Sequence, residues 1–265
     1  MLTLILACLA VGGVAGVLAG LLGVGGGLVI VPALLLVLPL AGVPASHIQH
    51  VALGTSLATI MFTGAASMLA HHRRGSVRWS VVRGIAPGIV VGTFAGAQLA
   101  GRMSGALLQW IFVLFAYLVA WQMLAQRQTG PARSLPGTAG LGAAGGVIGV
   151  ASSWVGIGGG SLSVPFLSWC GVPLREAIGS SAAIGVVIAL AGSVGYVISG
   201  MGIAGLPNYS MGFIYIPAFV LIVLASMPLT RVGAALAHRL PVVTLKKLFA
   251  GLLIVLASKM LYGLL

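Results

Sequence analysis

The residues in this chain with spacing suited to chemistry are glycines and hydroxyls. Three consecutive glycines occur twice, as Gly25, Gly26, Gly27 and as Gly158, Gly159, Gly160, each run followed five residues later by a proline, Pro32 or Pro165. Glycine accepts positive φ and lets main-chain amides come close to a ligand. A helix that opens at such a tip leaves its first N–H groups unpaired, and its dipole places positive potential there. Pro32 and Pro165 sit near enough to the expected helix start that a missing donor costs little. Ser161 and Ser163 add hydroxyls in the second copy, where the first has Leu28 and Ile30. Gly54-Thr55-Ser56 and Gly179-Ser180-Ser181 form a second matched pair inside apolar sequence. Their hydroxyls either bond back to the helix or line a cavity. The chemistry this pattern offers is capture of an oxyanion by amide and hydroxyl donors, with Gly25, Gly26, Gly27, Thr55, Ser56, Gly158, Gly159, Gly160, Ser161, Ser180 and Ser181 as the expected binding residues.

Energetics favour that design over a buried cation. A Lys or Arg at the bilayer centre costs at least about 2.5–3.5 kcal/mol. A helix N-terminus contributes about 0.5–2 kcal/mol to an anion without that cost. The competing reading of the triplets is close helix packing, the role expected of Gly12, Gly16 and Gly20 and of Gly84, Gly88, Gly92 and Gly96, which follow GxxxG spacing.

The sequence also excludes chemistry. It has no Asp, and Glu176 is its single acid, so a carboxylate pair for hydrolysis is impossible. There is neither a G-x-S-x-G elbow nor a Walker A motif, and His47, His50, His71, His72 and His238 form no convincing metal set. No catalytic residue, metal or cofactor is expected. Cys8 and Cys170 lie in apolar sequence and read as small packing residues. Proton relay through buried carboxylates is unavailable.

The elements that must position these residues follow from composition. Of 265 residues, 60% are hydrophobic and 5% charged, with a mean hydropathy of +1.19. A soluble domain carries about 25% charged residues, so this chain reads as an all-α, polytopic membrane protein. Its long Leu/Val/Ala/Ile runs lack the alternation of a β-barrel. Ten apolar segments are expected, at 2–22, 28–41, 49–70, 84–101, 106–125, 138–155, 161–171, 177–199, 211–230 and 245–265. The net charge of +12 falls in the gaps between them, where it signals topology and not nucleic-acid binding.

The segments form two repeats, 1–125 and 138–265, joined by a polar linker at 126–137. GVGGGLVIVPAL (Gly23 to Leu34) matches GIGGGSLSVPFL (Gly156 to Leu167), and Gly42–Pro44 matches Gly171–Pro173. Five segments per repeat invert the second repeat relative to the first. That arrangement puts eleven of the thirteen basic residues on one side, leaving Arg102 and Lys259 opposite. An even number per repeat divides them seven against six, so the positive-inside rule selects the inverted fold, with both termini outside and the linker cytoplasmic. The second and seventh segments are too short for a full span of about 20 residues, so each Gly-rich pair reads as a broken-helix hairpin with its tip inside the membrane.

The paired motifs, with ALGTSLA (Ala52 to Ala58) after the first, resemble the sulfite exporter TauE/SafE family, also called the toluene-sulfonate uptake permeases. The resemblance implies an inner-membrane carrier for small sulfur-containing anions such as sulfite, sulfonates or sulfoacetate. The partners this implies are a small anion and the lipid bilayer, with a homodimer as one arrangement. The expected mechanism is alternating access about a midplane site; a passive anion channel of the same fold and a non-transporting membrane subunit are the alternatives. A reporter fused to the N-terminus should be active only outside the cytoplasm; cytoplasmic activity would undo the inverted arrangement.

Overall fold

The computed structural model describes residues 2–22, 26–125, 134–237 and 242–264. Within them the chain is helical: α1 (Leu2–Leu22), α2 (Gly27–Val37), α3 (Ile48–Arg73), α4 (Trp79–Ala100), α5 (Gly105–Leu124), α6 (Thr138–Val155), α7 (Gly160–Trp169), α8 (Leu174–Gly200), α9 (Ile216–Ala237) and α10 (Val242–Tyr262). Of these, α1, α3, α4, α5, α6 and α8 are long and apolar enough to cross a bilayer. The protein is thus a multi-pass helical membrane protein. The short second and seventh segments are the 11-residue α2, continued by a 3-10 turn at Leu38–Ala41, and the 10-residue α7. Two-residue strands, β1 (Ser210–Met211) and β2 (Ile214–Tyr215), pair antiparallel before α9. They displace the start of the ninth helix from the expected residue 211 to Ile216. Most of the linker expected at 126–137 lies outside the described residues.

Small residues set how the helices meet. Gly84 faces Leu141, Gly88 abuts Gly142, Gly92 abuts Gly146, and Gly96 lies against Val150, so α4 and α6 run parallel in close contact. Gly12 faces Ile222, Gly16 faces Ser226, and Gly233 faces Val17, which makes α1 and α9 a second parallel pair. Both GxxxG sets therefore pack helices, as their spacing implied, because without a Cβ the backbones approach closely. In contrast, α3 and α8 run antiparallel: Gly64 meets Val186, Leu57 meets Gly192, and Tyr196 meets Gly54. The remaining principal pairings are α4 with α8, α3 with α9, α2 with α3, α7 with α8, α1 with α2, and α5 with α10. Replacing every helix by the one five places along the chain leaves most of these pairings unchanged.

Polar bonds tie the same seams. The Trp154 indole donates to the Gly96 carbonyl at 3.0 Å, and the Tyr196 hydroxyl donates to the Ser153 carbonyl at 2.9 Å. Large apolar side chains such as Val91, Leu114, Leu118, Val147, Leu224 and Val255 stay exposed on the flanks, where lipid would cover them. At one end Arg73, Arg74 and Arg78 gather with Arg175, since Gly179 abuts Ser76 and Arg78 pairs with Glu176 at 3.8 Å. Arg102 follows α4 at the other end.

The α4/α6 seam gives a sharp test. An added methyl at Gly88 would collide with the Gly142 main chain, whereas one at Gly142 meets nothing within 4 Å. Gly88→Ala should cost about 1–3 kcal/mol through forced separation of the helices, and Gly142→Ala should be neutral or stabilising by up to about 1 kcal/mol from helix propensity. Unfolding in detergent measures both; equal effects would contradict this packing.

Candidate functional site

The two Gly-rich tips touch. Gly27 opens α2 against the main chain of Gly156 and Ile157, where a methyl group would lie 2.6 Å from the Gly156 carbonyl oxygen. Gly27 also borders Ile60, close to the middle of α3, and Gly159 borders Gly185, close to the middle of α8. Both tips thus lie at mid-height of the central antiparallel pair. Gly156 and Gly27 have no side chain to hold them apart, so carbonyls and amides of two distant segments come together.

The glycines do different jobs at each tip. Gly26 is left-handed (φ 76°), caps α2, and accepts hydrogen bonds at 3.0 Å from the amides of Val29 and Ile30. In the second hairpin the left-handed residue is Gly156 (φ 68°), which ends α6, while Gly159 caps α7 in an ordinary right-handed conformation (φ −62°). None of Gly158, Gly159 and Gly160 has positive φ. The positive φ that glycine permits is taken up by Gly26 within the first run and by Gly156, ahead of the run, in the second hairpin. What Gly159 needs is room: a methyl there would lie 2.6 Å from the Ser181 carbonyl oxygen. Gly25 lies outside the described residues.

The first turn of α7 offers donors. The Ser163 amide bonds the Gly159 carbonyl at 2.8 Å, and the amides of Gly160, Ser161 and Leu162 precede the helical ladder. The hydroxyls of Ser161 and Ser163 are buried without a hydrogen-bond partner among the described residues, and so is that of Ser152 on the preceding arm. Ser163 and Ser152 are fully buried residues. An orphaned buried hydroxyl costs roughly 1–3 kcal/mol, so these three, with Ser168 toward the end of α7 as a fourth on the hairpin, call for a ligand or water.

The matched hydroxyl triplets are largely committed elsewhere. Thr55 Oγ1 accepts from the Tyr215 amide at 3.1 Å, and Ser180 Oγ accepts from the Arg78 amide at 2.9 Å. Each donor immediately precedes a helix, α9 or α4, so the two hydroxyls do the same work in each half: they fix where the next helix of the other packing unit begins. Ser56 Oγ donates to the Gly156 carbonyl at 2.8 Å and holds the second tip against α3. Ser181 Oγ donates to Ile178 within its own helix at 2.8 Å. Because α3 and α8 are antiparallel, Thr55 and Ser56 lie toward one end of the pair and Ser180 and Ser181 toward the other. The structure brings Ser56 to the tips, and it does not gather the four hydroxyls at one point.

A separate cavity of about 310 Å³ lies between α2, α5 and the end of α10, lined by Pro32, Leu35, Leu36, Gln109, Lys259 and Tyr262 among others. It is mostly apolar and includes none of the expected binding residues.

Residues 8–260 match the family model of the sulfite exporter TauE/SafE proteins. The chain belongs to this family. A probable membrane transporter protein of Haemophilus influenzae is 42% identical over 98% of this chain and 99% of its own length. Similar proteins with the same description occur in Bacillus subtilis, 26% identical over 87% of this chain and 89% of its own, and in Methanocaldococcus jannaschii, 24% identical over 95% and 93%. No solved structure matches. Gly27 of the first Gly-Gly-Gly run lies against the bend at Gly156 and Ile157 that leads into the second.

Loss of the tying hydroxyls should be measurable. Thr55→Val leaves the buried Tyr215 amide unpaired and Ser180→Ala does the same to Arg78; each should lower stability in detergent by about 1–3 kcal/mol. Ser152→Ala removes a hydroxyl that bonds nothing and should be neutral or stabilising in the absence of ligand. If all three variants unfold alike, the hydrogen-bond assignments are wrong.

Proposed function

We propose that this protein is a secondary transporter of small sulfur-containing anions, of the sulfite or sulfonate kind, working by alternating access about the paired tips. Its membrane is the inner membrane of a bacterial-type cell, and the two halves are inverted repeats with both termini outside. Membership of the TauE/SafE family and the transporter descriptions of the relatives support the class. The antiparallel course of α3 and α8, which occupy the same place in each half, supports the inversion. So does the gathering of Arg73, Arg74, Arg78 and Arg175 at one end, the pattern expected of a cytoplasmic face.

The observation that carries the binding site is the pair of buried hydroxyls of Ser161 and Ser163, unpartnered among the described residues, beside the first-turn amides of α7 that precede its helical ladder. Together they form an oxyanion cradle in which every donor is neutral, so no cation needs burying when the site is empty. Gly26, Gly27, Gly158, Gly159 and Gly160 supply the close main chain, and Ser56 locks the second tip in place. Thr55, Ser180 and Ser181 frame the site; Thr55 and Ser180 each keep a hydroxyl proton to donate while accepting from an amide. Rocking of the α1/α9 and α4/α6 pairs relative to the central helices would expose the cradle alternately.

Valine at Gly26 or Gly159 would also test the tips, but the close approach at Gly159 makes that change disrupt packing as well. Ser163→Ala is the cleaner probe, since it removes one donor and adds no atoms. Sulfite or methanesulfonate should raise the unfolding temperature of the purified protein, and acetate should raise it less. Ser163→Ala should weaken the interaction about 10- to 100-fold, as expected for a hydrogen bond to a charged group. No stabilisation by any of these anions, or unitary currents in place of saturable counterflow in proteoliposomes, would sink the carrier reading.

A further inference from the structure

A second polar pocket lies at the N-terminal end of α3, away from the tips. Four buried side-chain atoms there have no hydrogen-bond partner among the described residues: His47 Nδ1, His50 Nδ1, and both Gln49 amide atoms, Oε1 and Nε2. Gln49 and His50 are fully buried residues. His50 Nε2 lies 3.0 Å from the Ala100 carbonyl and 3.1 Å from the Met103 carbonyl. Carbonyl oxygens only accept, so Nε2 carries the proton and Nδ1 presents a bare lone pair. The Phe213 ring stacks on the imidazole with centroids 5.0 Å apart, so the turn between β1 and β2 covers the pocket.

We propose that His50 is the proton-binding residue that couples anion movement to the proton gradient; the inference rests on the transporter reading above. A proton from the aqueous phase at this end adds to the Nδ1 lone pair, giving an imidazolium with an N–H on each nitrogen, and no other bond changes. The Nε2–H already points at the Ala100 carbonyl, which ends α4, and at the Met103 carbonyl just beyond it; the C-terminal end of α4 is the negative end of its dipole and favours a cation. Gln49 Oε1, on the adjoining residue of α3, is likewise buried without a partner among the described residues. The chain has no Asp, and its single Glu176 is exposed at the other end, so no carboxylate competes for this role.

The charged and titratable groups around the pocket are few. On α3 itself His47 lies 5.9 Å from His50, ring to ring, so one proton on the pair disfavours a second. After α4 comes Arg102, whose side chain is exposed. From α8 comes Tyr196, against Phe213, and from the β1/β2 segment come Tyr209 and Tyr215. The first turns of α5, which approach Gln49 through Gly105, carry no titratable group.

The link to the tips is α3. One turn beyond His50, Leu53 packs on Gly156, and two turns beyond it Ser56 bonds the Gly156 carbonyl at 2.8 Å. The six residues from His50 to Ser56 span about 9 Å. A change in how His50 grips the end of α4 therefore moves the helix that holds the second tip.

Proteoliposomes separate this proposal from the transporter reading beneath it. Labelled methanesulfonate, whose charge is fixed near neutral pH, is followed by exchange at equal pH and by net accumulation under an imposed pH gradient with the potential clamped. At one proton per anion, a gradient of about one pH unit should sustain about tenfold accumulation. His50→Gln should keep exchange and lose the accumulation; His47→Gln should keep both. In detergent, methanesulfonate should draw about one proton per bound anion from a weakly buffered solution of the native protein, so that binding weakens about tenfold per pH unit above the imidazole titration. This measurement stands even where His50→Gln fails to fold. Exchange without a response to the gradient, full accumulation by His50→Gln, or binding without proton uptake overturns His50 coupling and leaves the carrier intact. Absence of exchange by the native protein overturns both.

Discussion

At mid-height of the bundle, main chain meets main chain with no side chain between: Gly27, at the start of α2, rests on Gly156 and Ile157, at the bend between α6 and α7. Two segments separated by almost half the chain reach this point only because each hairpin reverses part-way along the central helices. Inside a membrane every such reversal leaves amides and carbonyls without helical partners, and there is no water to satisfy them. The fold answers part of that demand itself. Gly26 closes the first turn of α2 on its own carbonyl, and Ser56 reaches from α3 to the Gly156 carbonyl. At the first turn of α7, the buried hydroxyls of Ser161 and Ser163 stay without a partner among the described residues.

The surroundings are built to hold this junction in register. The closest helix packing lies outside the central pair, in the parallel contacts of α4 with α6 and α1 with α9, where glycine rows remove the side chains that would separate them. Each of these pairs joins a helix of the first half to one of the second. The same crossing recurs in the hydroxyls, with Thr55 fixing the start of α9 and Ser180 fixing the start of α4. The halves are therefore woven together, and a movement of one outer pair acts on the central helices through hydrogen bonds as well as through packing.

Helix positions were legible in the sequence because membrane spans are long, apolar and bounded by Gly, Pro and Arg. α1 and α6 match the expected segments, and the short α2 and α7 were recognisable by length and by their glycine runs. The two-residue strands before α9 were not, since Ser210, Met211, Ile214 and Tyr215 carry no pattern long enough to distinguish from an apolar helix start. At the site, the positions of the tips were legible and the roles of individual residues less so. Spacing alone could not tell that Gly156 takes the left-handed turn in place of the triplet, because that depends on how α6 ends. Nor could it show that Thr55 and Ser180 are engaged by amides 160 and 102 residues away. The duplicated hydroxyls signalled importance, and tertiary structure decided that much of it is architectural. Ser163 shows the converse: it was not among the expected binding residues, and its buried hydroxyl has no partner among the described residues.

Anomalous diffraction from crystals of the protein soaked in selenite, a heavier analogue of sulfite, addresses the central claim directly. The account predicts a selenium peak within hydrogen-bond distance of the Gly160, Ser161 and Leu162 amides and the Ser163 hydroxyl, beside the junction of Gly27 with Gly156. A peak coordinated by arginine or lysine side chains at either end of the bundle, with the α7 first turn dry and vacant, would contradict it.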